Sequence, residues 1–144
     1  MKQIIQSLSN GETTIKELPI QSCPSKNILI KNHYSLLSKG TEKMLLDFGK
    51  ANIIGKIKQQ PDKVKQTLDK IKTDGIAPTI SSVKAKLEEP IQLGYSSMGE
   101  VIFIGEDITN FKVGDRVISN GPHSEIVSVP GNLCALVPDE VSDE

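Results

Sequence analysis

Hydrophobic and polar residues alternate with a period of two at the start of the chain, a pattern typical of strands. Residues 2–8 and 12–18 carry this alternation on either side of Asn10-Gly11. That pair favours a two-residue hairpin turn, because both residues tolerate positive φ. Residues 27–37 repeat the alternation over a longer stretch. The first quarter of the chain therefore predicts a β-hairpin followed by a long third strand.

In the middle of the chain the apolar spacing changes to three and four residues, which indicates helices. We expect one helix capped by Thr41, a second from Pro61 to Gly75, and a short third capped by Thr79. The apolar side chains expected to face inward are Met44, Leu45, Phe48, Val64, Leu68, Ile71, Ile80, Val83 and Leu87.

Short strands return in the last third of the chain, separated by turns rich in glycine and proline. They are expected at residues 100–105, 116–119, 124–129 and 133–137. Many short strands divided in this way are typical of a small barrel or sandwich. The predicted fold class is mainly β, with a helical insertion at about residues 41–89.

Composition and charge restrict the function classes. A chain of 144 residues with 37% hydrophobic residues suits one domain with its own core. The formal net charge of −1 gives no argument for a nucleic acid or membrane partner, and we expect neither. The N-terminus lacks the apolar core of a signal peptide, so the expected location is the cytoplasm.

Lysines crowd residues 50–72, where only two aspartates relieve them. One interpretation is a solvated helical face. The other is a basic arm that faces an anionic ligand or a partner. The sequence leaves both open.

The two cysteines and two histidines show no metal-ligand spacing. His123 falls on a loop, where histidines are usually at the surface, although it is also a candidate to line a cleft. His33 falls within the third strand and is expected to be a partly buried structural residue. We regard a zinc site formed by these two histidines with Cys23 and Cys134 as improbable, because the spacing is scattered.

Four sequence blocks, in order, resemble the N-terminal domain of medium-chain dehydrogenases/reductases. Residues 94–101 keep the glycine frame of Gly-His-Glu-x-x-Gly-x-Val. Gly105, Phe111-Lys-Val-Gly-Asp-Arg-Val117 and Ser124-Glu-Ile-Val-Ser-Val-Pro130 follow it. The resemblance implies a GroES-like β-barrel over residues 1–144, which would form the substrate side of a cleft. A Rossmann nucleotide-binding domain is expected after residue 144.

The helical stretch is preceded by Ser38-Lys-Gly-Thr-Glu42 and contains Pro61-Asp-Lys-Val64, and on these residues it is similar to one bacterial subgroup of that family. In that subgroup a dehydrogenase-like part precedes a second part of the glucose-fructose oxidoreductase type. This similarity implies an oxidoreductase that acts on a small molecule, with a sugar or nucleotide sugar as the candidate substrate. It also implies NAD(P), bound mainly by the expected C-terminal Rossmann domain as the partner of this one.

The chain departs from the zinc-dependent members at each ligand position. Ser38 stands where the family has a cysteine, and Tyr95 and Ser96 stand where it has histidine and glutamate. Hydroxyl groups are poor Zn²⁺ ligands beside thiolate, imidazole and carboxylate, so no metal is expected. The chain also lacks a Gly-x-Gly-x-x-Gly turn between a strand and a helix, which would hold a pyrophosphate.

These substitutions imply that hydroxyl donors would replace the metal in polarising a substrate carbonyl. Family position assigns the remaining contacts. The predicted catalytic residues are Tyr95 and Ser38, the predicted substrate-binding residues are Ser96, Thr41 and His123, and the predicted cofactor contact is Lys39. The plain alternative for Tyr95 is that its ring only packs at the mouth of the barrel.

Two other functions stay open. A barrel of this kind also fits a non-catalytic binding or assembly domain. A zinc enzyme with rearranged ligands is the third hypothesis. The residues that follow Glu144 in the encoding frame would separate the first two, and elemental analysis would test the third.

Overall fold

The computed structural model describes residues 1–143 of the chain, which form eight strands, four α-helices and one 3₁₀ turn. The strands are β1 (Lys2–Ser7), β2 (Thr13–Glu17), β3 (Asn27–Ser35), β4 (Pro90–Gln92), β5 (Ser97–Ile104), β6 (Arg116–Ser119), β7 (Ile126–Pro130) and β8 (Cys134–Leu136). The helices are α1 (Lys39–Lys50), α2 (Ile53–Gln59), α3 (Pro61–Asp74) and α4 (Ile76–Glu88), and the 3₁₀ turn is Gly131–Leu133.

The chain divides into two compact units. The first contains Met1–Ile4, Ile15–Ser38 and the chain from Gln92 onward. The second contains Ile5–Thr14 and Lys39–Ile91.

The first unit is built on a five-stranded sheet with the order β7-β3-β5-β6-β8. Strand β3 pairs antiparallel with both β7 and the central strand β5. Alternate residues on these strands point inward, and the side chains of Ile28, Ile30 and Val101 are completely buried. The rest of this core comprises Phe111, Val117, Val127 and Val129.

The opening hairpin is confirmed, but its turn is longer than predicted. Strands β1, β2 and β4 form a second sheet with the order β2-β1-β4. The connection between β1 and β2 is closed by Ser7, whose N–H donates to the Glu12 carbonyl at 2.9 Å. Gly11 has φ +73°, whereas Asn10 does not have a positive φ. Asn10 instead accepts the Glu12 N–H through its side chain, which favours a wider turn.

The predicted sheet-rich fold with helices is confirmed, whereas a closed barrel is not seen within residues 1–143. β7 and β8 are the outer strands of the five-stranded sheet. A single bridge between Gln3 and Ser124 joins β1 to the segment before β7. β1 is therefore connected to this segment by isolated bonds instead of a continuous ladder.

The helical middle differs from its prediction in number and in exposure. Four helices form instead of three, because Asn52 caps α2 by accepting the Gly55 N–H at 2.8 Å. The predicted inward stripe on α4 is wrong, since Ile80 is 59% and Val83 is 37% exposed. No helix within the described residues is long and apolar enough to cross a membrane.

Candidate functional site

The candidate site lies at one end of two neighbouring strands of the first unit. The last residue of β3, Ser35, pairs with the first residue of β5, Ser97. Beyond this pair, the Leu36 N–H donates to the Ser96 carbonyl at 3.0 Å. The segments 36–38 and 94–96 therefore leave the sheet at the same end of these two strands. Tyr95 and Ser96 lie on one segment, and Ser38 lies on the other.

The hydroxyl-bearing side chains at this end of β3 and β5 are partly open to solvent. Tyr95 is 46% exposed, and Ser38 and Ser96 are half-buried. Gly94 precedes Tyr95 with φ +90°, a left-handed conformation that glycine adopts at little cost. We call residues Gly94, Tyr95 and Ser96 the corner. Its turn directs the chain from β4 into β5.

His123 is buried against this corner, so the expectation of a surface loop histidine is wrong. The residue is only 7% exposed. Its Nδ1 lies 2.8 Å from the Ser35 hydroxyl oxygen. Its N–H donates to the Leu93 carbonyl at 2.7 Å, and its carbonyl accepts the Ile4 N–H at 2.9 Å. Main-chain bonds to two other segments hold the loop residue in the interior.

A buried pair of hydroxyl groups lies directly after the corner, where β5 begins. The Ser97 and Ser119 hydroxyl oxygens are 3.0 Å apart, and both residues are buried. The Gly121 N–H also donates to the Ser119 hydroxyl at 3.1 Å. These bonds satisfy polar groups that would be costly to bury alone, so they fix the start of β5 relative to β6.

The predicted cofactor contact and one predicted substrate contact belong to the second unit. Lys39 is the first residue of α1, and Thr41 follows in its first turn. Both residues are exposed. The helix already begins at Lys39, so Thr41 is not its N-cap. The roles predicted for Lys39 and Thr41 stay predictions.

His33 lies on β3 but is exposed, and it is not the partly buried residue expected from the sequence. Its Nδ1 is 3.9 Å from a carboxylate oxygen of Asp143. The same carboxylate accepts a hydrogen bond from Arg116 Nε at 2.8 Å. His33 thus lies beside an Arg116–Asp143 ion pair near the end of the described chain.

The side chains predicted to stand at the metal positions carry donor groups that do not fit zinc. They are the hydroxyls of Ser38, Tyr95 and Ser96, and neutral hydroxyls compete poorly with thiolate or imidazole for Zn²⁺. Among residues 1–143, no three side chains of histidine, cysteine, aspartate or glutamate lie close enough to hold a metal ion. Cys23 and Cys134 are free thiols.

Sequence reasoning missed Ser35 as a member of this region. On β3 the inward residues are Ile28 and Ile30, which predicts that even positions face the core. The pairing of β3 with β5 shifts between Asn32 and Tyr34, as in a β-bulge. One extra residue reverses the alternation, and the odd position Ser35 then reaches the buried His123. No local sequence signal marks that bulge.

Comparison with known proteins identifies related chains. The family described as the alcohol dehydrogenase GroES-like domain matches residues 53–139. A mitochondrial NAD(P)H oxidoreductase of Dictyostelium discoideum is 31% identical over 83 residues, which cover 54% of this chain and 23% of that protein. The (R,R)-butanediol dehydrogenase of Bacillus subtilis is 32% identical over 82 residues, which cover 38% of this chain and 24% of that protein.

Solved structures show the same fold at low identity. The quinone oxidoreductase of Coxiella burnetii superposes with a TM-score of 0.64 at 20% sequence identity. The superposition covers 99% of this chain and 38% of that protein. The matched segments span about a quarter of the length of the two curated relatives.

Proposed function

Because this chain belongs to the alcohol dehydrogenase GroES-like domain family, we propose that it forms the substrate side of a zinc-independent, NAD(P)-dependent oxidoreductase. The observation that carries the proposal is that the end of β3 lies beside the start of β5. There the bond from Leu36 to Ser96 brings the segments of Ser38 and Tyr95 side by side. Relatives named as an oxidoreductase and a dehydrogenase support the reaction class.

The chain's own residues would polarise and orient the substrate. The Tyr95 phenol donates a hydrogen bond to the carbonyl oxygen of a ketone or aldehyde, and it supplies the proton as the alkoxide forms. Ser38 and Ser96 hold neighbouring hydroxyl groups of the substrate. When bound, the nicotinamide supplies the hydride, so that a carbonyl compound, NAD(P)H and a proton give an alcohol and NAD(P)⁺.

The cofactor is assigned mainly to another part of the protein. Residues 1–144 contain no glycine-rich turn between a strand and a helix, so they do not fit a pyrophosphate. Lys39 is proposed as a single contact to a cofactor phosphate, and Thr41 as a contact to the substrate, whereas the burial of His123 favours a supporting role over the substrate contact predicted for it. A C-terminal Rossmann domain is the proposed partner for the rest of the nucleotide, in a cytoplasmic protein without nucleic acid or membrane partners.

A sugar or a nucleotide sugar is the proposed substrate class. Three hydroxyl side chains suit a polyhydroxylated molecule, because each both donates and accepts hydrogen bonds. The arrangement with a second, glucose-fructose oxidoreductase-type part belongs to this proposal. The resemblance of the helical stretch to that bacterial subgroup supports it.

The test uses the protein extended through the residues encoded after Glu144. NADH and NADPH are titrated by fluorescence, and oxidation of polyols and sugars is then followed at 340 nm. Removing the phenol hydroxyl with Tyr95→Phe is expected to lower kcat by about 100-fold. Tyr34→Phe is the matched control, because Tyr34 is about as exposed, at 47%, and lies on β3, outside the corner. Equal activity of both variants would remove Tyr95 from the mechanism.

Two further outcomes would favour the competing functions. Failure of the extended protein to bind either dinucleotide would favour a non-catalytic binding or assembly domain. Stoichiometric zinc that survives dialysis, measured by elemental analysis, would favour the zinc enzyme with rearranged ligands.

A further inference from the structure

We propose that His123 is a positioning residue that holds the corner, and through it the Tyr95 phenol, in a fixed orientation. Its catalytic consequence rests on the proposed function, but the positioning itself does not. The side chain acts from beneath the corner, through contacts to Gly94 and Ser35.

The main chain of His123 ties three separate segments together. Its N–H donates to the Leu93 carbonyl at 2.7 Å, and its carbonyl accepts the Ile4 N–H at 2.9 Å. The Leu93 N–H in turn donates to the Ile4 carbonyl at 3.2 Å. The residue immediately before the corner is therefore fixed on both sides, and the freedom that remains lies in the Gly94 peptide units.

The imidazole ring removes that remaining freedom. A Cβ atom placed on Gly94 would lie 2.7 Å from the ring carbon Cγ of His123 and 2.8 Å from its Cδ2. The ring therefore packs directly on the Gly94 backbone. At φ +90° this glycine is otherwise the most permissive point of the corner.

The second ring contact joins the corner to the end of β3. Nδ1 of His123 lies 2.8 Å from the Ser35 hydroxyl, and Ser35 pairs with Ser97 at the start of β5. The imidazole thus bridges the two strands that deliver Ser38 and Tyr95. A 7% exposed ring with a fixed polar partner is a rigid support for residues that are themselves half open to solvent.

The Tyr95 hydroxyl lies at the end of a long side chain. A small rotation of the backbone at Gly94 therefore moves the hydroxyl further than it moves the Tyr95 backbone, and this motion has a catalytic consequence. A rotation of more than about 10–20° in the Gly94 peptide exceeds the tolerance of a productive site. A displacement of about 1 Å at the reacting group costs on the order of 100-fold in rate. Loss of the His123 ring is therefore expected to lower kcat while KM changes little.

The decisive experiment is NMR of the 144-residue chain, because it needs neither substrate nor cofactor. His123→Ala removes the ring, and Ser35→Ala removes only its hydrogen bond. The readouts are the amide signals of Gly94, Tyr95 and Ser96 and the ring signals of ¹³C-labelled tyrosine, with Tyr34 as the internal reference. We expect both variants to shift or broaden the corner signals, His123→Ala more strongly. Tyr34 adjoins Ser35, so it is the reference for His123→Ala alone, in which its ring signals should stay unchanged.

Ser119→Ala is the matched control for a purely structural effect. It removes a buried hydroxyl that bonds Ser97 and Gly121, away from the Gly94 backbone. We expect it to lower the free energy of unfolding while the signals of Gly94 and Tyr95 stay in place. His123→Asn keeps a polar atom near the position of Nδ1, so it is expected to restore the corner signals in part.

Corner signals that stay unchanged in Ser35→Ala and in folded His123→Ala or His123→Asn would overturn the proposal. In the extended enzyme, His123→Asn is expected to lower kcat by about 10- to 100-fold at a nearly constant KM. Absence of dinucleotide binding would defeat the proposed function and leave the NMR result standing, so the two failures are distinguishable.

Discussion

At the scale of single residues, Gly94 is a position in the corner where added volume should be strongly destabilising. Gly94 and Gly114 have almost the same conformation, with φ +90° and +92°. A Cβ on Gly94 would lie 2.7 Å from the backbone nitrogen of His123, whereas one on Gly114 would meet nothing within 4 Å. A comparison of alanine substitutions at Gly94 and Gly114 therefore separates the cost of steric clash from the cost of backbone strain.

Gly114→Ala is expected to lower the free energy of unfolding by about 1 kcal/mol, the cost of a left-handed residue with a Cβ. Gly94→Ala is expected to lower it by roughly 1–3 kcal/mol more, because the neighbouring backbone must shift. Urea unfolding followed by circular dichroism measures both values. Equal decreases in the free energy of unfolding would mean that the His123 loop shifts to accommodate the added Cβ atom at no energetic cost.

The two thiols provide a prediction of pH dependence. Burial raises the pKa of Cys134 from its ordinary value of 9.0 to about 11. Burial also raises the pKa of Cys23, while a backbone hydrogen bond from Leu29 acts in the opposite direction. Because the thiolate is the form that reacts, Cys134 should be the slower to alkylate at pH 8.

Iodoacetamide labelling read by mass spectrometry should give a half-maximal rate near pH 11 for Cys134 in the folded chain. The unfolded chain loses this proton first, since its thiol titrates near 9.0. The contribution of the Cys134 thiol to the free energy of unfolding is therefore fully present below pH 9 and is lost between pH 9 and 11. The loss is about 1 kcal/mol, because partial solvent access reduces the effect of burial. Cys134→Ala is the control and should lack this contribution. A midpoint of labelling no higher than in the unfolded chain would contradict the burial.

The residues of the corner were predictable, but their support was not. A glycine frame and missing metal ligands are visible in the sequence, so Tyr95, Ser96 and Ser38 could be selected directly. The contact between Ser35 and His123 depends on the pairing shift within β3, and on bonds that bury the His123 loop. Both arise from tertiary pairing, which local periodicity does not encode.

At the scale of elements, strands were easier to predict than helices. β6 was predicted with its observed bounds, because charged and glycine-containing turns limit a short apolar run. The helix α2 was missed because Gly55 and the adjacent isoleucines resemble a loop, and only the side-chain cap from Asn52 reveals its start. Periodicity identified the stripe on α4 but not the direction in which it faces, since spacing carries no information about neighbouring elements.

The glycines of α1 test how closely this helix approaches the opening hairpin within the second unit. A Cβ on Gly49 would lie 2.6 Å from Cα of Gly11 and 2.7 Å from Nε2 of Gln6. The same Gln6 amide donates to the Leu45 carbonyl of α1 at 2.8 Å. Gly40, in the first turn of the same helix, has no atom within 4 Å of such a Cβ.

Gly49→Ala is expected to lower the free energy of unfolding by about 1–3 kcal/mol, because two backbones would have to separate. Gly40→Ala should raise it by up to about 0.5–1 kcal/mol, since alanine favours a helix where space is open. Thermal and urea unfolding give both signs. Stabilisation by Gly49→Ala would show that the helix and the hairpin do not meet as described.

At the scale of the whole molecule, the division into two units could not be predicted from the sequence. It passes through the first strand, so that Lys2–Ile4 belong to one unit and the rest of β1 to the other. A continuous alternating pattern gives no sign of such a boundary. The two units also differ in composition, because the lysine-rich stretch falls in the second.

This division predicts unequal local stability, which amide hydrogen exchange can measure. In the first unit, β3 and β5 share a core whose central side chains are fully buried. In the second, α3 has no buried residue and α4 buries only Thr79. Helices that bury so little should open without global unfolding.

Exchange followed by mass spectrometry is expected to be about 100-fold faster in α3 than in β5, after correction for intrinsic rates. Ile30→Ala should narrow this gap, because a cavity in the core lowers the stability of β3 and β5 and leaves the opening of α3 unchanged. Equal protection of α3 and β5 in the unmodified chain would mean that both units unfold together. The lysine-rich helices would then depend on the sheet for their stability, despite their small buried area.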